Sequence, residues 1–240
     1  MAKFKIGYFV GSLASGSINR ILANALIKLA PEDLEFTEIP IKDLPLYSYD
    51  YDADFPPAGR ALKDAVEGSD GILFVSPEYN RSIPGALKNA IDWGSRPWGT
   101  NSFARKPTGI IGASPGSIGT AVMQSSMRAV LSFLDAPQLN APEAYLKFNP
   151  SDFADDGTVT NQGTADFLRH YMEEYGAFVE RVLARQCARA HRRPQTGRGQ
   201  AHPIIPRQTK ADDGGISRRR RLPSLSATRP KRLLKVPRGL

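Results

Sequence analysis

Small polar residues crowd a short loop near the start of the chain. Residues 11–20, GSLASGSINR, follow the apolar run FKIGYFV and place Ser12, Ser17 and Asn19 around two glycines. Backbone N–H groups at the start of a helix attract anions, and small side chains let an anion approach them. The loop lacks the lysine of a nucleotide-hydrolysing P-loop and the third glycine of a dinucleotide fingerprint. It therefore favours a terminal phosphomonoester; the alternative is an ordinary turn in which Ser17 caps the helix.

A second loop offers groups suited to the edge of a flat heterocycle. Residues 76–93, SPEYNRSIPGALKNAIDW, follow the apolar run GILFV. Pro77 sets a turn, Tyr79 supplies an aromatic wall and Asn80 an amide, as in many cofactor pockets. We expect the next helix to begin within residues 82–84, because proline is tolerated in a first helical turn. The alternative is a surface loop whose tyrosine is structural.

A third loop, ASPGSIGTA, follows another apolar run and carries Ser114 and Gly116. Glycines there permit close approach of a ligand to the backbone. In a doubly wound sheet, ligands bind beyond the carboxyl ends of the strands, where the strand order reverses. We therefore expect the three loops to share one rim.

The elements that must position these loops alternate regularly up to Leu183. Short apolar runs predict strands over 3–10, 34–40, 71–76, 108–114 and 137–146. Amphipathic patterns predict helices beginning near Ile18 and covering 56–69, 83–94, 118–135 and 164–183. This alternation predicts an α/β fold with a parallel sheet covered by helices on both faces.

Charge divides the chain into two regions. Residues 1–183 carry 16 Lys+Arg and 22 Asp+Glu, whereas residues 184–240 carry 16 Lys+Arg and 2 Asp+Glu. The second region mixes Pro, Gly, Ser and Arg without periodicity, so we predict a disordered basic tail after a domain of residues 1–183. Arg218–Arg221 offers nucleic acid or membrane contact as an alternative, but no aromatic residues accompany it, and we favour a solvated tail.

The motifs of the first two loops carry a family resemblance. G-S-L-x-x-G-S-x-N after the first strand, with P-E-Y-N-x-S-x-P-G-x-L-K-N-A-I-D-W after the third, resembles the NAD(P)H-dependent FMN reductases, which include bacterial chromate and quinone reductases. The resemblance spans residues 4–183. It implies a flavodoxin-like three-layer sandwich with a five-stranded parallel sheet of order 2-1-3-4-5, bound FMN, NADPH or NADH as reductant, and homodimers or homotetramers.

The resemblance also implies roles for individual residues. The FMN phosphate is held by Ser12, Ser17 and Asn19, with Ile18 in the same stretch. The isoalloxazine ring is bordered by Pro77, Glu78, Tyr79 and Asn80, and its other edge is approached by Ser114 and Gly116. Many members have an arginine where this chain has Ala14, so a cation that faces the phosphate is missing; Arg20 lies nearby on the helix.

These features predict an enzyme that passes electrons from NAD(P)H to quinones, chromate or similar small acceptors by a ping-pong hydride mechanism. The flavin carries such chemistry, so no catalytic side chain is required. The sequence indeed offers only three histidines, His170, His191 and His202, and no metal-ligand spacing. The alternative is a flavodoxin-type electron carrier without its own NAD(P)H turnover. The single cysteine, Cys187, and the lack of an apolar stretch long enough to span a bilayer predict a cytoplasmic protein.

Four further residues have two interpretations each. For Glu78 we favour a subunit contact over a ligand edge. Trp93 and Trp98 are expected in the core and at a subunit rim rather than against the flavin. Arg128 is expected either in an interface ion pair or in solvent.

Overall fold

A computed structural model of the 240-residue chain describes residues 4–154 and 156–192. Five strands, β1 to β5, span Phe4–Val10, Leu34–Glu38, Gly71–Val75, Thr108–Ser114 and Tyr145–Lys147. Five α-helices, α1 to α5, span Ile18–Leu29, Pro57–Glu67, Gly85–Gly94, Ala121–Phe133 and Gln162–Arg192. The strands form one parallel sheet of order β2-β1-β3-β4-β5, which confirms the predicted flavodoxin-like architecture.

The core has two halves, one on each face of the sheet. Leu73 and Val75 of β3 pack towards α1 and α5, whereas Ile72 and Phe74 pack towards α2, α3 and α4. Successive strand residues point to opposite faces, so a strand buried on both sides must be apolar at every position. This explains why the run GILFV showed no alternation and is buried throughout.

The register of the sheet brings the three predicted loops to one edge. Val10 at the end of β1 is paired with Val75 at the end of β3, and β3 runs parallel to β4 with Val75 opposite Ile111. Because all three strands are parallel, the loops that follow them leave the same edge of the sheet. This edge is the rim expected from the sequence.

Two predicted boundaries were wrong. The fifth strand is shorter than 137–146: the chain forms one bridge from Gln138 to Thr108, turns at Pro142, which has no N–H to donate, and only then forms β5. Helix α3 begins at Gly85 with Pro84 as its N-cap, not within residues 82–84, because Ser82 is paired with Tyr79 in a tight turn.

The last predicted helix belongs to a longer one. Helix α5 continues beyond Leu183 to Arg192, and Gln186 donates to the carbonyl of Arg105 at 2.6 Å. Residues 184–192, which were predicted to belong to the disordered basic tail, are therefore helical. The rest of the predicted tail, residues 193–240 with Arg218–Arg221, lies outside the described residues. No helix within the described part of the chain is long and apolar enough to cross a membrane.

Candidate functional site

The first two loops at the carboxyl edge contact each other directly. The N–H of Gly11 donates to the carbonyl of Val75 at 2.9 Å, so the first loop starts against the end of β3. A Cβ at Gly11 would collide with Ser76, and this close approach requires glycine. The hydroxyls of Ser12 and Tyr79 lie 3.5 Å apart, which joins the first loop to the second.

The first loop leaves the start of α1 open to an anion. The N–H groups of Ile18 and Asn19 have no hydrogen-bond partner within residues 4–154 and 156–192, and the first turn of α1 has no acidic residue. Ser17 occupies the N-cap position, but its hydroxyl makes no capping hydrogen bond and is left available. Ser12 lies beside this opening and accepts a hydrogen bond from the N–H of Ala14 at 3.3 Å. These donors are the kind that hold a phosphate at a helix N-terminus.

The side chain of Asn19, which the resemblance implied would hold the FMN phosphate, is hydrogen-bonded to the backbone of β4 instead. It is 1% exposed; its amide nitrogen donates to the carbonyl of Ala113 at 3.0 Å, and its oxygen accepts from the Ala113 N–H at 2.9 Å. The side chain therefore fastens the start of α1 to the end of β4. What Asn19 can still direct towards a phosphate is its backbone N–H.

Arg20 points away from the phosphate loop. Its guanidinium donates to both carboxylate oxygens of Glu38, at 2.8 and 2.7 Å, and Tyr8 donates to the same carboxylate at 3.4 Å. The hydrogen bonds from Arg20 hold the pKa of Glu38 below its ordinary value. Burial, followed by the charge of Glu38, raises the pKa of Tyr8. With Ala14 uncharged and Arg20 paired, the loop presents hydroxyls and backbone N–H groups rather than a cation.

The second loop contains a tight two-residue turn. Tyr79 and Ser82 exchange backbone hydrogen bonds of 3.1 and 2.9 Å, and the residues between them, Asn80 and Arg81, have φ angles of 50° and 62°. Positive φ at both central positions is the signature of a type I′ turn, whose usual residues are Asn and Gly. Asn80 could have signalled this turn from the sequence, but Arg81 could not. The N–H groups of Asn80 and Arg81 have no partner in the described part of the chain.

Glu78 caps a helix from a distant part of the sequence. One carboxylate oxygen accepts from the N–H groups of Val122 and Met123, both at 3.0 Å, and the other accepts from Arg81 at 3.2 Å. The Glu78 side chain is only 8% exposed. The N-cap residue of α4, Thr120, makes no side-chain capping bond, so Glu78 satisfies the helix N-terminus instead. Neither interpretation of Glu78 from the sequence included this contact.

The third loop and the turn border an open cleft of about 360 Å³. Ser114 ends β4, and its hydroxyl accepts from the N–H of Gly116 at 3.1 Å. A Cβ at Gly116 would contact only Ser114, so the chain itself does not require glycine there, and the space faces the cleft. The cleft is lined by Glu78, Asn80, Arg81, Ser114 and Gly116–Gly119.

Comparison with known proteins decides the family. The family model of the NADPH-dependent FMN reductases matches residues 4–150. A 2-hydroxy-1,4-benzoquinone reductase from Burkholderia is 49% identical over 175 residues, which are 73% of this chain and 96% of that protein. A quinone reductase from Escherichia coli strain K12 is 40% identical over 188 residues, which are 75% of this chain and 97% of that protein. The chain belongs to the NADPH-dependent FMN reductase family.

A solved structure agrees with this assignment. The flavoenzyme NAD(P)H:(acceptor) oxidoreductase FerB from Paracoccus denitrificans is 42% identical, with a TM-score of 0.72 over 74% of this chain and 98% of that one. The protein is therefore an oxidoreductase of the NAD(P)H-dependent FMN reductase type, and FMN is its cofactor.

The residues present fit FMN at both of its ends. The phosphate end requires several donors in a compact loop, and the open start of α1 with the Ser17 hydroxyl supplies them. The ring requires an apolar wall and donors at its edge, which Tyr79 and the free N–H groups of the 80–81 turn supply. These two sets of groups meet where Ser12 approaches Tyr79.

Other candidate residues of the FMN reductase are held by their own chain. Trp93 is fully buried and donates to the carbonyl of Pro45 at 2.7 Å, which confirms its place in the core. Arg128 donates to the carbonyl of Leu139 and to the side chain of Asn140, both at 3.1 Å, and so supports the segment before β5 rather than standing free in solvent.

Proposed function

We propose that the protein is an FMN-dependent NAD(P)H:quinone oxidoreductase that works by a ping-pong mechanism. The observation that carries the proposal is the contact between Ser12 and Tyr79, because it joins the loop whose N–H donors at the start of α1 lack partners among the described residues to the loop that carries the 80–81 turn. The relatives named above as a 2-hydroxy-1,4-benzoquinone reductase and as quinone reductases support quinones as the acceptor class. Chromate is a further acceptor of the same proposal.

At the phosphate end, we assign binding to the hydroxyls of Ser12 and Ser17 and to the N–H groups of Ile18 and Asn19. The hydroxyls donate without bulk, and the N–H groups bring the positive end of the helix to the anion. The Asn19 side chain keeps this end of α1 in place through Ala113.

At the ring end, Tyr79 would form a wall, since it is 49% exposed next to the first loop. Pro77 and Asn80 would border the ring on the same side, and Ser114 and Gly116 would approach its opposite edge across the cleft. Glu78 would contribute by holding this loop against α4, since its carboxylate is already bonded there.

The chemistry that FMN supplies when bound is two-electron transfer from NAD(P)H to a second substrate. The chain's contribution is to hold the ring, to leave one face open to substrates and to direct backbone N–H groups towards it. Preorganised N–H donors stabilise negative charge without reorganising, and we assign this role to the N–H groups of Asn80 and Arg81, which have no partner among the described residues.

Steady-state kinetics test the proposal. With NADPH and a quinone both varied, double-reciprocal plots should be parallel, because the reductant product leaves before the quinone enters the same cleft. The same experiment with NADH would rank the two reductants. Intersecting lines would contradict the ping-pong mechanism, and absence of turnover with FMN bound would leave an electron carrier as the better description.

The homodimer or homotetramer expected from the resemblance is also a proposal. An exposed aromatic pair supports it: Trp98 and Phe133 are 71% and 73% exposed, with ring centroids 6.4 Å apart. Light scattering of the purified protein should give a mass of two or four chains, and a monomeric mass at micromolar concentration would contradict the proposed homo-oligomer.

The predicted cytoplasmic location stays a prediction.

A further inference from the structure

Two arginines at the carboxyl edge of the sheet differ in how completely their guanidinium groups are hydrogen-bonded. Arg20 is clamped by Glu38 through two short hydrogen bonds. Arg81 makes one ion pair, from a single guanidinium nitrogen to Glu78 at 3.2 Å, and its side chain is 62% exposed. The remaining N–H groups of Arg81 have no partner within the described residues, and the residue lines the cleft. A guanidinium in this state can still bind an anion with two parallel hydrogen bonds.

Glu78 offsets the positive charge of Arg81 only in part, because its carboxylate is shared with the start of α4. The other oxygen of that carboxylate accepts from Val122 and Met123 at the start of α4, and the Glu78 side chain is turned inwards. A helix N-terminus carries partial positive charge of its own. One negative group therefore faces two positive ones, and the mouth of the cleft keeps a positive balance on the Arg81 side.

The backbone conformation at Arg81 is one that favours glycine, so the presence of an arginine there points to a functional role. With φ at 62°, it occupies the position of a type I′ turn that glycine fills most readily. Backbone strain of this kind is concentrated at binding and catalytic sites. The turn also fixes the Cα of Arg81 at the rim, and this limits the positions that the guanidinium can occupy to those near the mouth of the cleft.

We propose that Arg81 is a specificity-determining residue that selects substrates with an anionic oxygen group at the mouth of the cleft. The inference rests on the proposed function, because the substrate must come to the same cleft as the ring. Two substrates could carry such a group: an ionised hydroxyquinone as acceptor, or NADPH through its additional 2′-phosphate. The chemistry that Arg81 recognises is the same for both, a pair of negatively charged oxygens.

The test compares substrates that differ in charge. With NADH as reductant, kcat/KM is measured for 2-hydroxy-1,4-naphthoquinone, which is anionic at neutral pH, and for neutral 1,4-naphthoquinone. In a second arm, NADPH is compared with NADH, with the neutral quinone as acceptor. The wild type is compared with Arg81→Gln, Arg81→Gly, Arg81→Lys and, as a matched loss of one exposed charge outside the cleft lining, Arg60→Gln. Flavin content and circular dichroism are recorded for each variant.

For at least one substrate pair, we expect the ratio of kcat/KM for the charged member to kcat/KM for the neutral member to be about 5-fold lower in Arg81→Gln and Arg81→Gly than in the wild type. A change of this size is typical of a partly exposed charge contact. Arg81→Lys should retain most of the preference, and added salt should reduce it in the wild type. Loss in the quinone arm identifies the acceptor as the anion that is recognised, and loss in the nucleotide arm identifies the reductant.

Two results would overturn the inference. Equal changes in kcat/KM for the charged and neutral members of both pairs would show that Arg81 does not select by charge. The same loss of preference in Arg60→Gln would show a general effect of net charge. A wild type that turns over neither quinone would overturn the proposed function together with the inference, whereas active variants with unchanged ratios would overturn only the inference.

Discussion

Ala14 sets how strongly the loop after β1 can attract a phosphate. Arg20, the nearest arginine along the chain, is engaged by Glu38 and so does not replace the missing cation. The attraction must then come from hydroxyls and from the start of α1, which offers partial charges rather than a full one. The proposed binding of the FMN phosphate by this loop would therefore lack the contribution of an ion pair.

Replacing Ala14 by arginine should therefore tighten FMN binding. Ala14 is exposed, so a long side chain can be accommodated, and we expect the dissociation constant of FMN to fall by about 5-fold, as one partly exposed charge contact allows. Fluorescence titration measures this change. Riboflavin, which lacks the phosphate, should bind the variant and the wild type equally, and Ala14→Gln should match the wild type for both ligands. Equal tightening of riboflavin would contradict a phosphate at this loop.

Helix α4 is held at its start by the loop that follows β3. Glu78 satisfies two N–H groups of α4 while its own loop carries the turn that lines the cleft. The position of the turn and the end of the helix are therefore coupled. A change at Glu78 should affect both stability and the site.

Glu78→Ala should destabilise the fold by about 1 to 2 kcal/mol, the usual cost of losing a helix cap. Glu78→Gln should cost less, because its amide oxygen can still accept from one of the two N–H groups. Urea unfolding gives both values. Glu173→Ala, at an exposed position of α5, should change the free energy of unfolding by less than about 0.5 kcal/mol. A Glu78→Ala variant as stable as Glu173→Ala would contradict the capping role.

The pair of Arg20 and Glu38 joins α1 to β2 and should make part of the stability depend on pH. Because its pKa is lowered in the folded state, the Glu38 carboxylate stabilises the fold above its unfolded pKa. This contribution is lost as the pH falls through the folded pKa. Both side chains are more than a third exposed, so the contribution should stay below about 1 kcal/mol.

The corresponding experiment follows urea unfolding of the wild type and of Glu38→Gln from pH 7 to pH 3. The wild type should be more stable at pH 7, and the difference should shrink towards acid pH. Glu35→Gln, at an exposed position of the same strand, serves as the control and should show a smaller change. A difference that grows as the pH falls would contradict the sign of the shift.

The sequence predicted the secondary-structure elements better than it predicted the hydrogen-bond partners of individual side chains. Continuous apolar runs located β3 and β4, because strands buried on both faces leave no other pattern. The task of Asn19 could not be predicted, since its partner Ala113 lies 94 residues away and is reached only through the sheet order. The contact between Glu78 and α4 was missed for the same reason, because α4 begins more than 40 residues later in the sequence. The sequence placed the end of the last helix at Leu183, where the charge changes, but α5 continues to Arg192.

At the scale of the whole described structure, a core on both faces of the sheet is combined with three loops on one edge. The core fixes where β1, β3 and β4 end, and each loop then contributes a different chemistry: phosphate donors, an aromatic wall with a strained turn, and a small-residue edge. The fold therefore brings the groups proposed to bind FMN and a second substrate to one edge of the sheet. This arrangement is what the proposed alternating reaction requires.

One site in this protein is proposed to accept electrons from NAD(P)H and to deliver them to a quinone. The visible spectrum of the purified, FMN-loaded protein under anaerobic conditions tests both steps. We expect one equivalent of NADPH or NADH to bleach the flavin bands and one equivalent of quinone then to restore them. Bands that stay unchanged after addition of either nucleotide, with FMN demonstrably bound, would contradict the proposal.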